Sequence, residues 1–160
     1  MHFDFIIVGA GSAGCVLANR LSADGRYQVA LFEAGGADSS PWIHIPVGYF
    51  KTMGNPATDW RYRTEADPGL NGRAINWPRG KVLGGSSSIN GLLYVRGQAQ
   101  DFDQWRQLGN PGWGWDDVMP LFRRTENWEG KPSKVRGSGG ALNVSESRVQ
   151  RPVIDAWVEA

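Results

Sequence analysis

Cysteine is almost missing from this 160-residue chain: Cys15 stands alone, so no intramolecular disulfide can form. That fits a reducing compartment. An excess of charge of one sign is also lacking. Lys and Arg number 17 against 16 Asp and Glu, a net charge of +1. Without a basic run, broad attraction to nucleic acid or to a membrane surface is not expected. No stretch approaches the ~18 apolar residues of a membrane span. The start, Met1-His2, leads straight into an apolar segment, without the basic region and cleavage site of a signal peptide. The expected location is cytoplasmic, with peripheral membrane association left open. Histidine is scarce as well, and His2 and His44 sit at the terminus and in a loop. No metal site is expected.

What is present in excess is glycine, 22 residues, and tryptophan, 8 residues. Glycine without a collagen-like period suggests close backbone approaches and tight turns, or else a loop-rich chain. The position of the glycines decides. Residues 3–8, Phe-Asp-Phe-Ile-Ile-Val, read as a buried parallel strand ending at Gly9. Residues 12–24 place Ala13, Val16, Leu17, Ala18 and Leu21 at helical spacing, and Asp24-Gly25 supplies a stop. Residues 27–32 form a second strand, closed by Glu33-Ala34-Gly35-Gly36. Residues 1–36 are therefore a βαβ unit.

Residues 37–79 are punctuated by Pro41, Pro46, Pro56, Pro68 and Pro78. Helical periodicity disappears there, and extended, loop-rich chain is expected. Residues 80–97 hold the second glycine cluster. Helices are expected over 99–108 and 115–127, split by Asn110-Pro111-Gly112, then a polar loop over 129–140, a short strand over 141–144 and a helix from Pro152. That last helix has no stop signal and only two strands of a parallel sheet are evident. The fold is expected to continue beyond Ala160.

Gly9-Ala10-Gly11-Ser12-Ala13-Gly14 matches G-x-G-x-x-G. The pattern alone is weak, but here it follows a strand and opens a helix. Gly9 permits the turn, Gly11 lets backbone approach a pyrophosphate, and Gly14 allows close helix–strand packing. Ser12 and Ala13 belong to the helix N-terminus, whose free N–H groups and dipole favour phosphate. Glu33 lies 19 residues after Gly14, where an acidic residue binds the adenosine ribose and disfavours NADP. Asp38 has no such spacing and reads as a loop charge. The motif says dinucleotide, and FAD and NAD share the half it grips.

The segment Gly80-Lys81-Val82-Leu83-Gly84-Gly85-Ser86-Ser87-Ser88-Ile89-Asn90, with Gly91-Leu92-Leu93-Tyr94-Val95-Arg96-Gly97 and Asp103, runs over about 24 residues. It closely resembles the N-terminal signature of the glucose–methanol–choline (GMC) oxidoreductases, most of all bacterial choline-dehydrogenase-like members. So do Glu33-Ala34-Gly35-Gly36, Asp59-Trp60-Arg61-Tyr62, Asp101-Phe102-Asp103-Gln104-Trp105 and Gly112-Trp113-Gly114-Trp115. Physically, Gly84-Gly85 allows backbone to lie against a ring or phosphate. Ser86, Ser87 or Ser88 can cap a helix running towards Val95, and Asn90 offers an amide to a ring edge.

The resemblance implies a Rossmann-like α/β FAD-binding fold, present as its N-terminal part, with the beginning of a substrate domain. It divides the chain into a dinucleotide unit over 1–36, an FAD-binding extension over 37–100 and a segment over 101–160 leading towards the substrate domain. It implies oxidation of a small-molecule alcohol by hydride transfer to FAD, with the electron acceptor undefined and no catalytic residue within this chain. It places Val82 and Asn90, Gly91, Leu92 and Leu93 against the flavin, Ala34 and Trp60 towards the adenosine end, and Gly85 and Ser86 in the cofactor loop. Some members attach FAD through a histidine at the position of Ile89, so non-covalent FAD is expected. Relatives often carry histidine where this chain has Arg136, in a loop tied to substrate access. Two competing readings are an NAD-linked dehydrogenase and a non-catalytic remnant.

Overall fold

The computed structural model describes residues 2–147 and 151–160; Met1, where the expectation of no signal peptide starts, and residues 148–150 lie outside them. The chain divides into two compact units, Met1–Leu93 and Tyr94–Ala160.

In the first unit, β1 (Phe5–Val8) leads through the Gly-rich turn into α1 (Ser12–Ser22) and then β2 (Val29–Phe32). The strands pair in parallel with Phe5 opposite Val29 and Val8 opposite Phe32. This is the expected βαβ unit. Its strands are not buried, however: Ile6 is 66% and Val8 85% exposed. An apolar run of this kind suits a fully covered strand, whereas α1 covers one face of a two-stranded sheet. Ile7 faces the helix: its Cγ2 lies 3.4 Å from the position a Cβ on Gly14 would take.

Residues 37–79 are less extended than expected. They contain the single-turn helices α2 (Pro41–His44) and α3 (Tyr49–Thr52), and 3₁₀ turns at Pro46–Gly48 and Pro68–Leu70. Three of these begin at proline, whose fixed φ suits the first helical position. One turn is too short to create a readable period. A small antiparallel pair, β3 (Tyr62–Arg63) and β4 (Asn76–Trp77), spans the remainder.

The helix expected to run from the serines towards Val95 is absent. A 3₁₀ turn over Gly85–Ser88 ends at Ile89, with φ −130° and ψ 0°. Leu92 then enters the left-handed region at φ +60°. The serines do not cap. Ser87 and Ser88 donate to the carbonyls of Gly84 and Leu83 at 2.6 and 2.7 Å, and Ser86 Oγ accepts the Gly80 N–H at 3.1 Å. Asn90 turns back to accept the Leu92 N–H at 3.0 Å. Side chains that satisfy local backbone groups in this way compete with helix formation.

The second unit follows expectation more closely. Helix α4 (Ala99–Gln107) opens with Asp101 accepting the Gln98 N–H at 2.8 Å. Helix α5 (Trp115–Thr125) opens with Asp117 accepting the Gly114 N–H at 3.1 Å. Phe102 is the centre of its core, with ring contacts to Trp105, Trp115 and Phe122 at 5.4–5.7 Å. Helix α5 stops two residues earlier than expected, and β5 (Glu126–Trp128) pairs in parallel with β6 (Leu142–Val144). The reason is Glu126, discussed below. Helix α6 (Pro152–Glu159) forms as expected, with Val153, Trp157 and Val158 exposed. Among the described residues no helix is long and apolar enough to cross a membrane.

Candidate functional site

The Gly9–Gly14 turn is shaped by the chain at both ends and left open in its middle. Gly9 takes φ +96°, and a Cβ on Gly14 would overlap the Gly9 carbonyl. At Gly11 a Cβ would meet nothing within 4 Å. No contact within the chain requires glycine at that position. The second loop docks on this turn. The Gly84 N–H donates to the Ala10 carbonyl at 2.8 Å, and a Cβ on Gly85 would come within 2.8 Å of Gly11 Cα. Two motifs about 70 residues apart in sequence thus share one surface.

Their junction opens into a cavity of about 600 Å³. Val8, Gly9 and Gly11 line it from the first turn, Phe32, Glu33 and Ala34 from the end of β2, and Gly80, Gly85 and Ser86 from the second loop. Trp60, Tyr62 and Arg79 close another side. Of the residues singled out from sequence, Gly9, Gly11, Glu33, Ala34, Trp60, Gly85 and Ser86 come together here, with Ser12, Ala13 and Gly14 in the adjoining first turn of α1.

Glu33 has more to do than expected. Its Oε2 accepts the Ala10 N–H at 2.8 Å and its Oε1 the Gly35 N–H at 2.9 Å. The carboxylate ties the glycine turn to the end of β2. Each oxygen retains a second acceptor position, and the residue lines the cavity.

The Trp60 wall is held by Asp59, which sequence reasoning passed over. Asp59 is 3% exposed. It accepts three backbone N–H groups, from Gly54 at 2.7 Å, Arg61 at 2.8 Å and Arg79 at 3.0 Å. Burial works against its ionisation, but these three donors and the nearby Arg61 charge outweigh it, and the carboxyl titrates below the usual aspartate range. The Trp60 and Tyr62 rings are parallel with centroids 5.9 Å apart, and the Lys81 ammonium sits 4.8 Å from the Trp60 ring centre. Tyr62, Arg79, Phe32, Val8 and Gly80 were also unanticipated as lining residues. The Asp59-Trp60-Arg61-Tyr62 resemblance carried a signal for Tyr62, and Gly80 opens the second glycine motif.

The remaining residues lie apart from this cavity. Val82 is 1% exposed and bridges Gly36 in parallel. Asn90, Gly91, Leu92 and Leu93 do not line the cavity, and Leu93 is 88% exposed. Ile89 is buried and offers no nucleophile. His44 is engaged locally, its Nε2 lying 2.6 Å from the Asp38 carbonyl. Among the described residues no group of acidic, histidine or cysteine side chains could hold a metal ion.

The second unit has its own charged centre. Glu126 is fully buried and accepts from Arg96 Nη2 at 2.6 Å, Arg136 Nη1 at 2.9 Å and the Gly137 N–H at 2.7 Å. Burial opposes its ionisation, but Gly137, Arg136 and the charge of Arg96 prevail, and its carboxyl lies below the usual glutamate range. The Arg136 guanidinium also covers the Trp128 ring at 4.2 Å. Arg136, where the resemblance led to an expectation of histidine, is therefore engaged in an ion pair with the buried Glu126.

Residues 3–160 match the family described as GMC oxidoreductase. The chain is 49% identical to an oxygen-dependent choline dehydrogenase of Sinorhizobium fredii, over 100% of this chain and 29% of that one. It is 47% identical to an oxygen-dependent choline dehydrogenase of Vibrio vulnificus, over 99% of this chain and 29% of that protein. The chain thus spans under a third of the length of these curated relatives. Among solved structures, pyridoxine 4-oxidase from Mesorbium loti superposes with a TM-score of 0.90 at 39% identity, covering 99% of this chain and 31% of that one. An FAD-dependent oxidoreductase from Chaetomium thermophilum gives 0.81 at 31%, covering 99% and 29%. The reading as an NAD-linked dehydrogenase gives way to these matches. With the paired glycine motifs, the βαβ unit and the agreement over residues 3–160, the chain belongs to the GMC oxidoreductase family, as part of its N-terminal, FAD-binding domain.

Proposed function

We propose that this chain supplies the cofactor site of an enzyme that oxidises a small alcohol of the choline type, with FAD bound non-covalently. The observation that carries the reading is the interlocking of the two glycine loops around one cavity, with Glu33 at its edge. Bound FAD would accept a hydride from the carbinol carbon of the substrate. The chain's own residues bind and orient. Gly11, Ser12, Ala13 and Gly14 would present backbone N–H groups to the diphosphate, while Gly9, whose own N–H is bonded to the Phe32 carbonyl, would turn the chain towards it. Glu33 would accept from the ribose hydroxyls, beside Ala34, while Trp60 would flank the adenosine half. Gly85 and Ser86 would press the second loop against the cofactor. Asn90, Gly91, Leu92 and Leu93 would serve the flavin end, whereas Val82, at 1% exposure, has no surface to offer it.

The division into 1–36, 37–100 and 101–160 follows these tasks: dinucleotide turn, cofactor extension, and approach to the substrate domain. No residue here is assigned as the base that takes the alcohol proton. Peripheral attachment to a membrane is compatible with the reading, and a single cysteine suits a cytoplasmic setting. The decisive experiment purifies the holoprotein, precipitates it with acid and examines the supernatant. Released FAD, together with choline-dependent bleaching of the flavin band, supports the proposal. Yellow colour retained in the pellet would overturn the non-covalent part, and a colourless protein would overturn the whole.

A further inference from the structure

We infer that Asp59 is a positioning residue for the adenosine half of the cofactor, acting through the wall formed by Trp60, Tyr62 and Arg79. The inference rests on the proposed FAD site. Asp59 itself does not line the cavity. Its carboxylate is nearly sealed from solvent, yet all three of its hydrogen-bond partners are backbone N–H groups. Those donors lie on three separate pieces of chain, at Gly54, Arg61 and Arg79. Between them the backbone is laced in antiparallel fashion: Asp59 bridges Gly80, the Trp60 N–H donates to the Arg79 carbonyl at 2.9 Å, and the Lys81 N–H to the Thr58 carbonyl at 2.8 Å.

One detail separates this carboxylate from an ordinary buried turn. Arg61 is held at φ +55°, a conformation that a long side chain rarely adopts. The Asp59 Oδ1 bond to the Arg61 N–H encloses Trp60 and ends on that strained residue. The consequence is local and geometric. The chain keeps its antiparallel register past this residue, with Trp60 against Arg79 and Tyr62 opposite Trp77, and both rings reach the cavity and lie within 3° of parallel. The Arg79 N–H, on the facing segment, is drawn to the same oxygen at 3.0 Å. A single anion therefore sets three of the cavity's lining residues at once. An amide cannot replace it, because its NH₂ would face one of the N–H donors.

The test uses apoprotein prepared from the holoprotein and titrated separately with FAD and with FMN, which lacks the adenosine half. For Asp59→Asn the expected result is a rise of about tenfold in the FAD dissociation constant, the equivalent of one lost charge-assisted bond. FMN binding should be unchanged. In a Trp60→Ala background the same substitution should alter FAD affinity less than about twofold, because coupled residues are not additive. Arg61→Gly, which relieves the left-handed strain, should restore part of the affinity lost in Asp59→Asn. Equal weakening of FAD and FMN, full additivity with Trp60→Ala, or failure to fold even with Arg61→Gly would overturn the inference in favour of a purely structural carboxylate. Wild-type apoprotein that binds FAD no better than FMN would instead remove the adenosine-site reading beneath it.

Discussion

The two units of this protein solve the same problem, holding loops in place, by opposite means. In Met1–Leu93 the fixing is done largely by backbone. Glycines let the turn at Gly9–Gly14 and the loop at Gly85 touch, and isolated carboxylates, Glu33 and Asp59, collect N–H groups from distant segments. In Tyr94–Ala160 side chains do it. Phe102 gathers aromatic rings, and Glu126 gathers two guanidinium groups. A surface made of backbone leaves polar N–H groups free to face a ligand, whereas one made of rings and ion pairs has spent its polar groups on itself. This difference explains why the proposed cofactor cavity lies where the glycines are.

The contrast can be broken at its strongest point by Glu126→Gln. Removing the charge leaves Arg96 and Arg136 facing each other without an anion, and Arg96 is largely buried. A loss of about 3–5 kcal/mol is expected. Thermal unfolding of the holoprotein should show it as a lower midpoint, while a cofactor affinity unchanged in the surviving folded protein would confirm that the two units do separate work.

Gly14→Ala should do the reverse. A methyl group there overlaps the Gly9 carbonyl, so the turn must shift. Overpacking of about 1–3 kcal/mol is expected, together with loss of FAD from the purified protein. Retention of flavin at the wild-type ratio would show that the turn tolerates displacement.

Glu33→Gln sharpens the comparison on the backbone side. FAD affinity should fall roughly 5–30-fold, about 1–2 kcal/mol, because a charge-assisted bond becomes neutral. Equilibrium titration of the apoprotein measures it, and an unchanged constant would confine Glu33 to its bonds with Ala10 and Gly35.

Acid is expected to weaken both units, through Asp59 in one and Glu126 in the other. Both carboxyls titrate below their ordinary values in the folded protein. Their contribution is therefore complete above the unfolded values, about pH 4, and is lost as pH falls through the lower folded values. Between pH 7 and 5 these two groups should leave stability flat. Denaturant melts from pH 7 to 3 test this, and the stability gap between wild type and Glu126→Gln should narrow only in the acidic part of the range.

Much of the candidate site was legible because its motifs are local. Gly9–Gly14 followed by an amphipathic stretch specifies a turn and a helix whatever surrounds them, and the spacing to Glu33 follows from the length of one helix and one strand. The helices at Ala99–Gln107 and Trp115–Thr125 were legible in outline too, set apart by the Asn110-Pro111-Gly112 break. The serines at 86–88 misled because capping and back-bonding use the same hydroxyl. Which one occurs depends on where Gly80, Leu83 and Gly84 lie, and that is a tertiary matter.

By itself, then, the sequence determined the βαβ unit, the dinucleotide turn and the family, all of which rest on residues close in the chain. Only the tertiary structure decided that the second glycine loop closes on the first, that Asp59 holds the wall of the cavity, and that Arg136 turns inward to Glu126. Those facts depend on contacts between segments about 10 to 75 residues apart. Such contacts are selected by the geometry of packing, and no periodicity or short motif encodes which distant N–H group or guanidinium a buried carboxylate will meet.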